Sequence, residues 1–483
     1  MRNPGQTGHR GRSQRRAVQL GNGAVVRLLV MLVVCGVMPR PVWAGPQVRW
    51  WVSSRDLSRR LSAQLPLRFT SGPSRERIVI RVDETRTFQI ILGLGSSLEH
   101  STCYNLSRLP PERRAQAVES IVDPEKGIGM SLMRICIGTP DFTASAWYSY
   151  DDMPAGRTDP EMKHFSIEKD REYVLGVLKL ALAKNPDLRF FASPWSPPGW
   201  MKTNGSLCGG RIDPQHFPAL ARYLARFVEA YEAEGIAIHA VTCQNEPGYF
   251  PGSYPTCGWT PAQQRDFIRD HLGPEFGKRA IRARIWCYDH NFNNLRFPLT
   301  ILSDPGAARY VDGTAFHHYE GKPAAMTTLH EKFPDKHVYF SEGSVFGMEG
   351  AAQIIAFLRH WARSYNAWVT IIDHKAQPNP GPHGCSPTCI VLNRDTLALA
   401  YRFDYYMYGQ FMKFIRPGAV RIHSDPSSES LPNVAVRNAD GTVVLVVANL
   451  KKRPARFAVA WGDGAVDAEL DGESIATFRW PSR

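Results

Sequence analysis

The sequence lacks the features that define several large classes of protein. It has no internal repeat, and no low-complexity tract follows its first 44 residues, which excludes a repeat architecture. No segment combines basic and aromatic residues as a nucleic-acid-binding module does, so we expect no nucleic-acid partner. None of the spacings among its nine cysteines is typical of a zinc site. What remains is a globular composition, in a chain of 483 residues that is long enough for a large core.

Acidic residues and lysine are absent from the first 44 residues, which contain seven arginines. The apolar run Leu28–Met38 is too short to span a bilayer, and Val42-Trp43-Ala44 offers a small-residue cleavage site. We therefore predict a signal peptide over residues 1–44, cleavage after Ala44, and a secreted or extracytoplasmic protein. An uncleaved membrane anchor is the alternative. Cleavage lowers the net charge from +13 to +6, with 51 basic and 45 acidic residues.

Eight cysteines remain if Cys35 leaves with the signal peptide. Cys385 and Cys389 flank a short segment of a Pro/Gly-rich loop, so a local disulfide is plausible in an oxidising compartment. Cys208 and Cys257 both lie in predicted loops and could also pair.

Strand-like and helix-like segments alternate over residues 86–416, which predicts a parallel sheet with crossover helices. Eight segments have the composition of buried strands: Phe88–Gly95, Ser131–Gly138, Leu188–Trp195, Ile238–Glu246, Ala283–Asp289, Gly313–Tyr319, His337–Glu342 and Ala367–Asp373. They predict an α/β fold of the (β/α)₈ TIM-barrel type, with its site at the C-terminal ends of the strands.

The two ends of the chain differ from this alternating region. Residues 417–483 contain short strand patterns around Asn438-Ala-Asp-Gly441, a hairpin signal. They predict a small all-β side domain of the β-sandwich type. Residues 45–85 precede the barrel, and we expect them to join the side domain.

Two glutamates, Glu246 and Glu342, end predicted strands four and seven, and turn residues follow each at once. A barrel glycosidase needs one carboxyl group as acid/base and another as nucleophile at the glycosidic bond. For either glutamate alone, the alternative is that it caps a strand or pairs with a surface arginine. The residues around them favour catalysis.

Several motifs follow one another in order from residue 93 onward. They are Gly93-Leu-Gly-Ser-Ser-Leu-Glu-His100, Met133-Arg-Ile-Cys-Ile-Gly-Thr-Pro-Asp-Phe142, Ala192-Ser-Pro-Trp-Ser-Pro-Pro-Gly-Trp-Met-Lys-Thr-Asn-Gly205, Asn245-Glu-Pro247, Tyr254-Pro-Thr-Cys-Gly-Trp-Thr-Pro261, Phe316-His-His-Tyr319 and Ser341-Glu-Gly343. In this order they resemble glycoside hydrolase family 30, especially its glucosylceramidase branch. The resemblance implies a retaining β-glycosidase with no cofactor, in which Glu246 is the acid/base and Glu342 the nucleophile.

The resemblance also assigns residues to the sugar. Asp141 matches the family position that binds its distal hydroxyls. Apart from this match, Asn245 is a candidate to hydrogen-bond the 2-hydroxyl. Trp195 is a candidate stacking wall. A turn-forming asparagine and a tryptophan that only packs are the alternatives for the last two.

His317 and Tyr319 are expected to face the barrel mouth together, because alternate residues of a strand point the same way. Tyr319 could then hydrogen-bond Glu342, whereas an ordinary core histidine is the alternative for His317. Asp289 and His290 end strand five and are expected to support the site from behind. Arg134 is expected to hold carboxylates in the barrel floor, or to form an ordinary salt bridge.

One departure from the family pattern concerns strand eight. The glucosylceramidase branch has a Trp-Asn pair near the end of that strand. Here Trp368 is present, but Ile371 and Ile372 occupy the expected place of the pair in an ungapped reading. Asp373 or Lys375 is then expected to contribute to the pocket wall, and the identity of the sugar stays open.

Three functions remain in view. The first is an exported retaining β-glycosidase without a metal, acting on a β-linked glycoside, glycolipid or oligosaccharide, with membrane-surface contact if the substrate is a glycolipid. Exo-action on a glucoside is expected because Asp141 could close the distal side, while β-1,6-glucanase, β-xylosidase, β-fucosidase and galactanase activities are alternatives. The second is a metal-dependent hydrolase that uses His317, His318, Glu320, Asp289 and His290. The third is a non-catalytic carbohydrate-binding protein.

Overall fold

A computed structural model describes residues 45–384, 388–426 and 428–482 of the chain. The predicted signal peptide with its cleavage site lies outside the described residues, as does Cys385. No helix in the described part of the chain is both long and apolar enough to cross a membrane.

Eight parallel strands form a closed barrel. In chain order they are Gly93–Gly95, Leu132–Ile137, Arg189–Pro194, Ile238–Thr242, Arg284–Asn291, Val311–His317, His337–Glu342 and Ser364–Asn366. Strands two to seven pair in sequence, and strand eight pairs with strand one. Parallel bridges at Ser97–Arg134 and Gly343–Ala367 join the two sheets. The predicted (β/α)₈ barrel is therefore confirmed.

Helices cover the outside of the barrel and connect its strands. The α-helices are His100–Ser107, Pro111–Val122, Val174–Lys184, Phe217–Ala233, Pro261–Phe267, Gly273–Lys278, Arg296–Leu302, Pro305–Ala308, Ala324–Lys332, Gly347–Arg359 and Phe403–Met412. Short 3₁₀ turns lie at Glu168–Arg171, Gly199–Met201 and Pro214–His216, and a π-helical turn lies at Ile268–Leu272. The helix Phe217–Ala233 ends just before Gly235, whose φ of +81° suits glycine.

The first and last barrel strands differ from their predicted positions. Phe88 lies in the long strand Val79–Ile90 of the side domain, and only Gly93–Gly95 belongs to the barrel. Strand eight is Ser364–Asn366, whereas Ile371–Asp373 pairs with Ile390–Leu392 in a separate sheet completed by Leu399–Tyr401. An apolar run predicts a buried strand but does not specify its partner.

The side domain draws strands from both ends of the described chain. Its sheet contains Gln47–Ser54, Ser62–Ala63, Leu67–Arg68, Thr70–Ser71, Val79–Ile90, Val420–Ser424, Asn433–Arg437, Thr442–Asn449, Ala455–Trp461, Gly464–Leu470 and Ser474–Pro481. Gln47–Ser54 pairs antiparallel with Ser474–Pro481, and Trp50 stacks on Phe478 across this pair, with ring centroids 5.2 Å apart. A separate apolar core fills the domain, which is the predicted β side domain.

The barrel interior changes from apolar to polar along the strands. An apolar layer inside the barrel includes Leu132, Phe191, Ala240, Ala315 and Tyr339. Two residues later on the same five strands, and therefore on the same face, come Arg134, Ser193, Thr242, His317 and Ser341, all buried. The apolar layer closes the bottom of the barrel, and the polar layer forms the floor of its C-terminal end.

Strand five reaches this polar floor by an irregularity. Its register against strand six shifts between Tyr288 and His290, and Tyr288 and Asp289 have φ values of +73° and +64°. A bulge redirects side chains that simple alternation would place elsewhere. Here it brings Asp289, which is fully buried, into contact with the polar floor.

Candidate active site

A cavity of about 700 Å³ opens at the C-terminal end of the barrel. The residues predicted for catalysis or substrate binding that line it are Asp141, Trp195, Asn245, Glu246, Tyr319 and Glu342. His317 is fully buried and lies beneath Glu246 and Glu342. The structure thus brings all seven residues to one place.

The two glutamates face each other closely. One carboxylate oxygen of Glu246 lies within 4.8 Å of one of Glu342. Glu246 has a φ of +47°, and its backbone amide donates to the carbonyl of Asp289 at 3.0 Å. Such left-handed conformations in non-glycine residues cluster at functional sites because the surroundings must hold them in place. The distance suits the short carboxyl separation of about 5–5.5 Å in retaining glycosidases.

Two donors hold the carboxylate of Glu342. The guanidinium of Arg134 donates to one oxygen, and the hydroxyl of Tyr319 donates to the other at 2.8 Å. Arg134 also donates to the side-chain oxygen of Asn245 at 2.9 Å, which orients that amide at the cavity wall. A positive charge and a hydroxyl donor stabilise the ionised form of Glu342 and fix its direction.

His317 connects Glu246 to a buried acid. Its Nδ1 lies 3.1 Å from Glu246 Oε1 and its Nε2 lies 3.0 Å from Asp289 Oδ1. Burial works to lower the pKa of His317, but the negative charges of Glu342, Asp289 and Glu246 raise it to about 9. The imidazole is therefore protonated near neutral pH and donates from both nitrogens.

Asp289 is the centre of the polar floor. One of its oxygens accepts from Arg134 at 2.9 Å, and from Ser193 and Thr242 at 2.8 Å; the other accepts from Ser341 at 2.6 Å as well as from His317. Burial alone would raise the pKa of Asp289, but the charge of Arg134 and the hydrogen bond from His317 hold it well below its ordinary value. Asp289 thus stays ionised and orients the cations that contact both glutamates.

The pKa values of both glutamates depend on His317. Burial raises the pKa of Glu342, although the charges of His317 and Arg134 oppose the rise. Burial also acts to raise the pKa of Glu246, but the hydrogen bond and charge of His317 outweigh it and lower that pKa. In the free site, the proton shared by Glu246 and His317 is consequently held on the imidazole.

Asp141 is a buried residue of the cavity wall. Its side chain is buried, and its Oδ1 has no hydrogen-bond partner among the described residues. Burial and the charges of Glu342 and Glu246 raise its pKa to about 8. The loop after strand eight packs tightly here, since a Cβ at Gly381 would lie 2.7 Å from that of Asp141. A buried polar atom of this kind is suited to a ligand hydroxyl.

An aromatic wall stands beside the glutamates. Trp195 and Trp368 stack with ring centroids 4.9 Å apart, and the guanidinium of Arg134 lies 4.8 Å from the ring of Trp195. Both tryptophans are buried and line the cavity. An apolar aromatic face next to polar groups is typical of pockets that fix the orientation of a ligand.

The segment expected to hold the Trp-Asn pair lies beyond strand eight, which ends at Asn366. Trp368 lines the cavity, whereas Ile371 and Ile372 belong to the separate strand Ile371–Asp373 and do not line it.

The prediction that Asp373 or Lys375 contributes to the wall of the sugar pocket is wrong. The carboxylate of Asp373 accepts from Arg394 at 2.6 Å and caps the turn that follows it. Neither Asp373 nor Lys375 lines the cavity.

The thiols of Cys208 and Cys257 are free, so the disulfide considered between them is absent from the structure.

The donor atoms of the site do not suit a metal ion. Within the described ranges, one group of potential ligands lies close together, and it consists of Glu246, His317 and Glu342. Both nitrogens of His317 carry hydrogen bonds to carboxylates, and Arg134 already neutralises Glu342. The neighbouring His318 instead packs on Phe340, with ring centroids 5.9 Å apart. The residues considered for a metal-dependent hydrolase are therefore not arranged to bind one.

The cavity is also lined by residues that were not predicted to act in catalysis or to bind the sugar. Tyr249, Tyr254, Asn293, Asn294, Glu320 and His383 line it. Tyr254 belongs to a motif quoted above, and Glu320 follows the His-His-Tyr motif directly. His383 lies in a Pro/Gly-rich loop without a recognisable pattern, so no sequence signal indicated it.

The sequence matches two family models that together span this architecture. The glycosyl hydrolase family 30 TIM-barrel domain matches residues 91–381, and the glycosyl hydrolase family 30 beta sandwich domain matches residues 418–478. The chain belongs to glycosyl hydrolase family 30 and is a glycoside hydrolase. Its substrate is a carbohydrate or a glycolipid.

Individual relatives carry two kinds of name. The chain is 31% identical over 440 residues to an endo-1,6-beta-D-glucanase of Neurospora crassa, covering 85% of this chain and 90% of that protein. It is 30% identical over 436 residues to the lysosomal acid glucosylceramidase of Mus musculus, covering 83% of each. A solved structure of an endo-beta1,6-glucanase matches with a TM-score of 0.81 and 27% identity, over 90% of this chain and all of that one.

Proposed function

We propose that the protein is an exported retaining β-glycosidase that cleaves β-linked glucosides by double displacement. The observation that carries the proposal is the approach of Glu246 and Glu342 to within 4.8 Å, which suits a covalent intermediate and leaves too little room for an inverting enzyme's water. Export rests on the signal-like sequence of residues 1–44.

In the first step, the carboxylate of Glu342 attacks the anomeric carbon, and the bond to the leaving oxygen breaks. Glu246 gives that oxygen a proton. Because the free site holds the proton on His317, we assign its transfer to Glu246 along the 3.1 Å contact. Arg134 and Tyr319 keep Glu342 directed at the sugar.

In the second step, water attacks the anomeric carbon and the ester bond to Glu342 breaks. Glu246 accepts the proton of the water, which returns the pair with His317 to its starting state. Asn245 is placed to bind the 2-hydroxyl, Asp141 a distal hydroxyl, and Trp195 with Trp368 one face of the ring. The packing of Gly381 on Asp141 supports action on a terminal sugar.

The experiment is a set of initial rates for residues 45–483 on aryl β-glucoside, β-xyloside, β-fucoside and β-galactoside. Glu342→Gln is run in parallel, with Glu349→Gln at an exposed position of the helix Gly347–Arg359 as the matched control. We expect the glucoside to be cleaved, and Glu342→Gln to lose on the order of 10⁴-fold or more in rate while staying folded. A near-wild-type rate in Glu342→Gln would contradict the proposed nucleophile.

A further inference from the structure

The outer half of the cavity has no part in the steps described above. The residues at its inner end, such as Asp141 and Trp195, are buried, whereas Tyr249, Asn293 and Glu320 at its outer end are exposed. With a sugar bound at the inner end, its leaving group must extend past these outer residues. The chemistry of these outer residues therefore indicates the chemical class of the leaving group.

The outer end of the cavity forms a rim, and one part of this rim is aromatic. Tyr249 follows Glu246 after strand four, and its side chain is 42% exposed. Its hydroxyl lies 3.5 Å from Nε2 of His383, from the loop after strand eight, and the His383 ring also meets Tyr254 edge-on at 5.6 Å. The loop contact positions the Tyr249 ring at the mouth, where an amphipathic ring offers a face and a hydroxyl to a ligand.

Another part of the rim is polar. The side-chain amide of Asn293 donates to the carboxylate of Glu320. These two loops fit closely, since a Cβ at Gly321 would lie 2.6 Å from the backbone nitrogen of Asn293. Asn294 and Asn291 line the cavity beside them. Amide and carboxylate groups together can donate to and accept from the hydroxyl groups of a sugar.

The rim does not provide a surface for alkyl chains. Among the described residues, the large hydrophobic side chains that are exposed are Leu65, Ile90, Tyr249 and Tyr319. Of these four residues, only Tyr249 and Tyr319 line the cavity. A site that receives the two hydrocarbon chains of a ceramide is expected to present a contiguous apolar patch, and the described mouth has none.

We infer that the outer cavity is a leaving-group subsite for a second sugar ring, which stacks on Tyr249 and is hydrogen-bonded by Asn293 and Glu320. The inference rests on the proposed function, and it selects an oligosaccharide or glucan over a glycosylceramide as the substrate. Tyr249, Asn293 and Glu320 are then determinants of specificity for the leaving group.

The test compares a β-1,6-linked glucose trisaccharide with β-glucosyl fluoride, whose leaving group is a single atom. In Tyr249→Ala and Asn293→Ala, we expect kcat/KM for the trisaccharide, divided by kcat/KM for the fluoride, to fall about tenfold, as the loss of one aromatic or polar contact does. Leu65→Ala, which removes an exposed side chain outside the cavity, is the matched control. An unchanged ratio in both cavity variants would overturn the inference, as would faster wild-type cleavage of short-chain glucosylceramide in micelles.

A binding measurement separates this inference from the proposed mechanism. In Glu342→Gln, calorimetric titration with the trisaccharide is expected to show binding that Tyr249→Ala weakens about tenfold in the same background. Equal affinity with and without Tyr249 would overturn the subsite. Failure of the wild type to cleave the fluoride would instead refute the mechanism, while the titration would still decide the subsite.

Discussion

His317 donates a hydrogen bond from Nε2 to the carboxylate of Asp289 across 3.0 Å, and both side chains are fully buried. Asp289 owes its position to the bulge in strand five. The contact directs the other imidazole nitrogen at Glu246 and supplies part of the negative charge that keeps His317 protonated. A backbone irregularity in strand five thus influences the protonation of the pair that His317 forms with Glu246.

This contact predicts a shift in pH dependence when Asp289 is made neutral. Asp289→Asn removes a charge that raises the pKa of His317, which is about 9 in the wild type. The pair with Glu246 should then lose its proton at lower pH, and the basic limb of kcat/KM should move down by about one unit or more. Ser341→Ala, which removes a donor to Asp289 but no charge, should shift it less. An unmoved basic limb in folded Asp289→Asn would contradict the role of His317.

The assignment of Glu246 predicts that its variant depends on the leaving group. Glu246→Gln cannot protonate a poor leaving group, so hydrolysis of an alkyl β-glucoside should fall by roughly 10²–10⁴-fold. The first step with β-glucosyl fluoride needs no such proton, and azide attacks the glycosyl-enzyme without a general base. Azide should therefore accelerate turnover of the fluoride and yield a glucosyl azide, detectable by mass spectrometry. Equal losses on both substrates without azide rescue would assign Glu246 another role.

Asp141 predicts a pH-dependent contribution to stability. Its pKa is about 8 in the folded protein and 3.8 as the ordinary value, so the folded state binds more protons between these values. The stability it contributes is fully present below about pH 3.8 and is lost as the pH rises through 8. Urea denaturation is measured at several pH values across this window. The free energy of unfolding of Asp141→Asn should fall less steeply with rising pH than that of the wild type.

The control for this measurement is Asp187→Asn at an exposed position, which should follow the wild type. Burial raises the pKa of Glu99 to about 7, so Glu99 also makes the free energy of unfolding fall as the pH rises. It does so in both the wild type and Asp141→Asn. Only the difference between the two curves therefore reports Asp141. Parallel curves for Asp141→Asn and the wild type would contradict the raised pKa.

The donor set of the floor predicts that chelators have no effect. Arg134 and protonated His317 supply the positive charge that a metal ion would bring to Glu246 and Glu342. Incubation with EDTA, followed by removal of the chelate, should leave the rate on an aryl β-glucoside unchanged. A loss that is reversed by one divalent cation would show that the reaction needs a metal.

The sequence by itself determined the class of fold and the position of both glutamates. Alternation of apolar strand segments with amphipathic helices specifies a parallel barrel, because each strand must be buried on both faces. Glu246 and Glu342 each follow such a segment, and the C-terminal ends of barrel strands meet at one mouth. The two-residue period likewise brought His317 and Tyr319 to the same side.

Only the tertiary structure decided how the remaining residues complete the site. The side chains of a regular strand alternate with a period of two residues. The bulge that brings Asp289 into the floor breaks this period, so the direction of its side chain does not follow from the sequence. Strand eight proved to be Ser364–Asn366 because its partner is Gly93–Gly95, and pairing is not encoded in one segment's composition. Tyr249 and His383 meet at the mouth although 134 residues separate them. Such contacts depend on how loops pack after the barrel has closed, so local sequence patterns do not specify them.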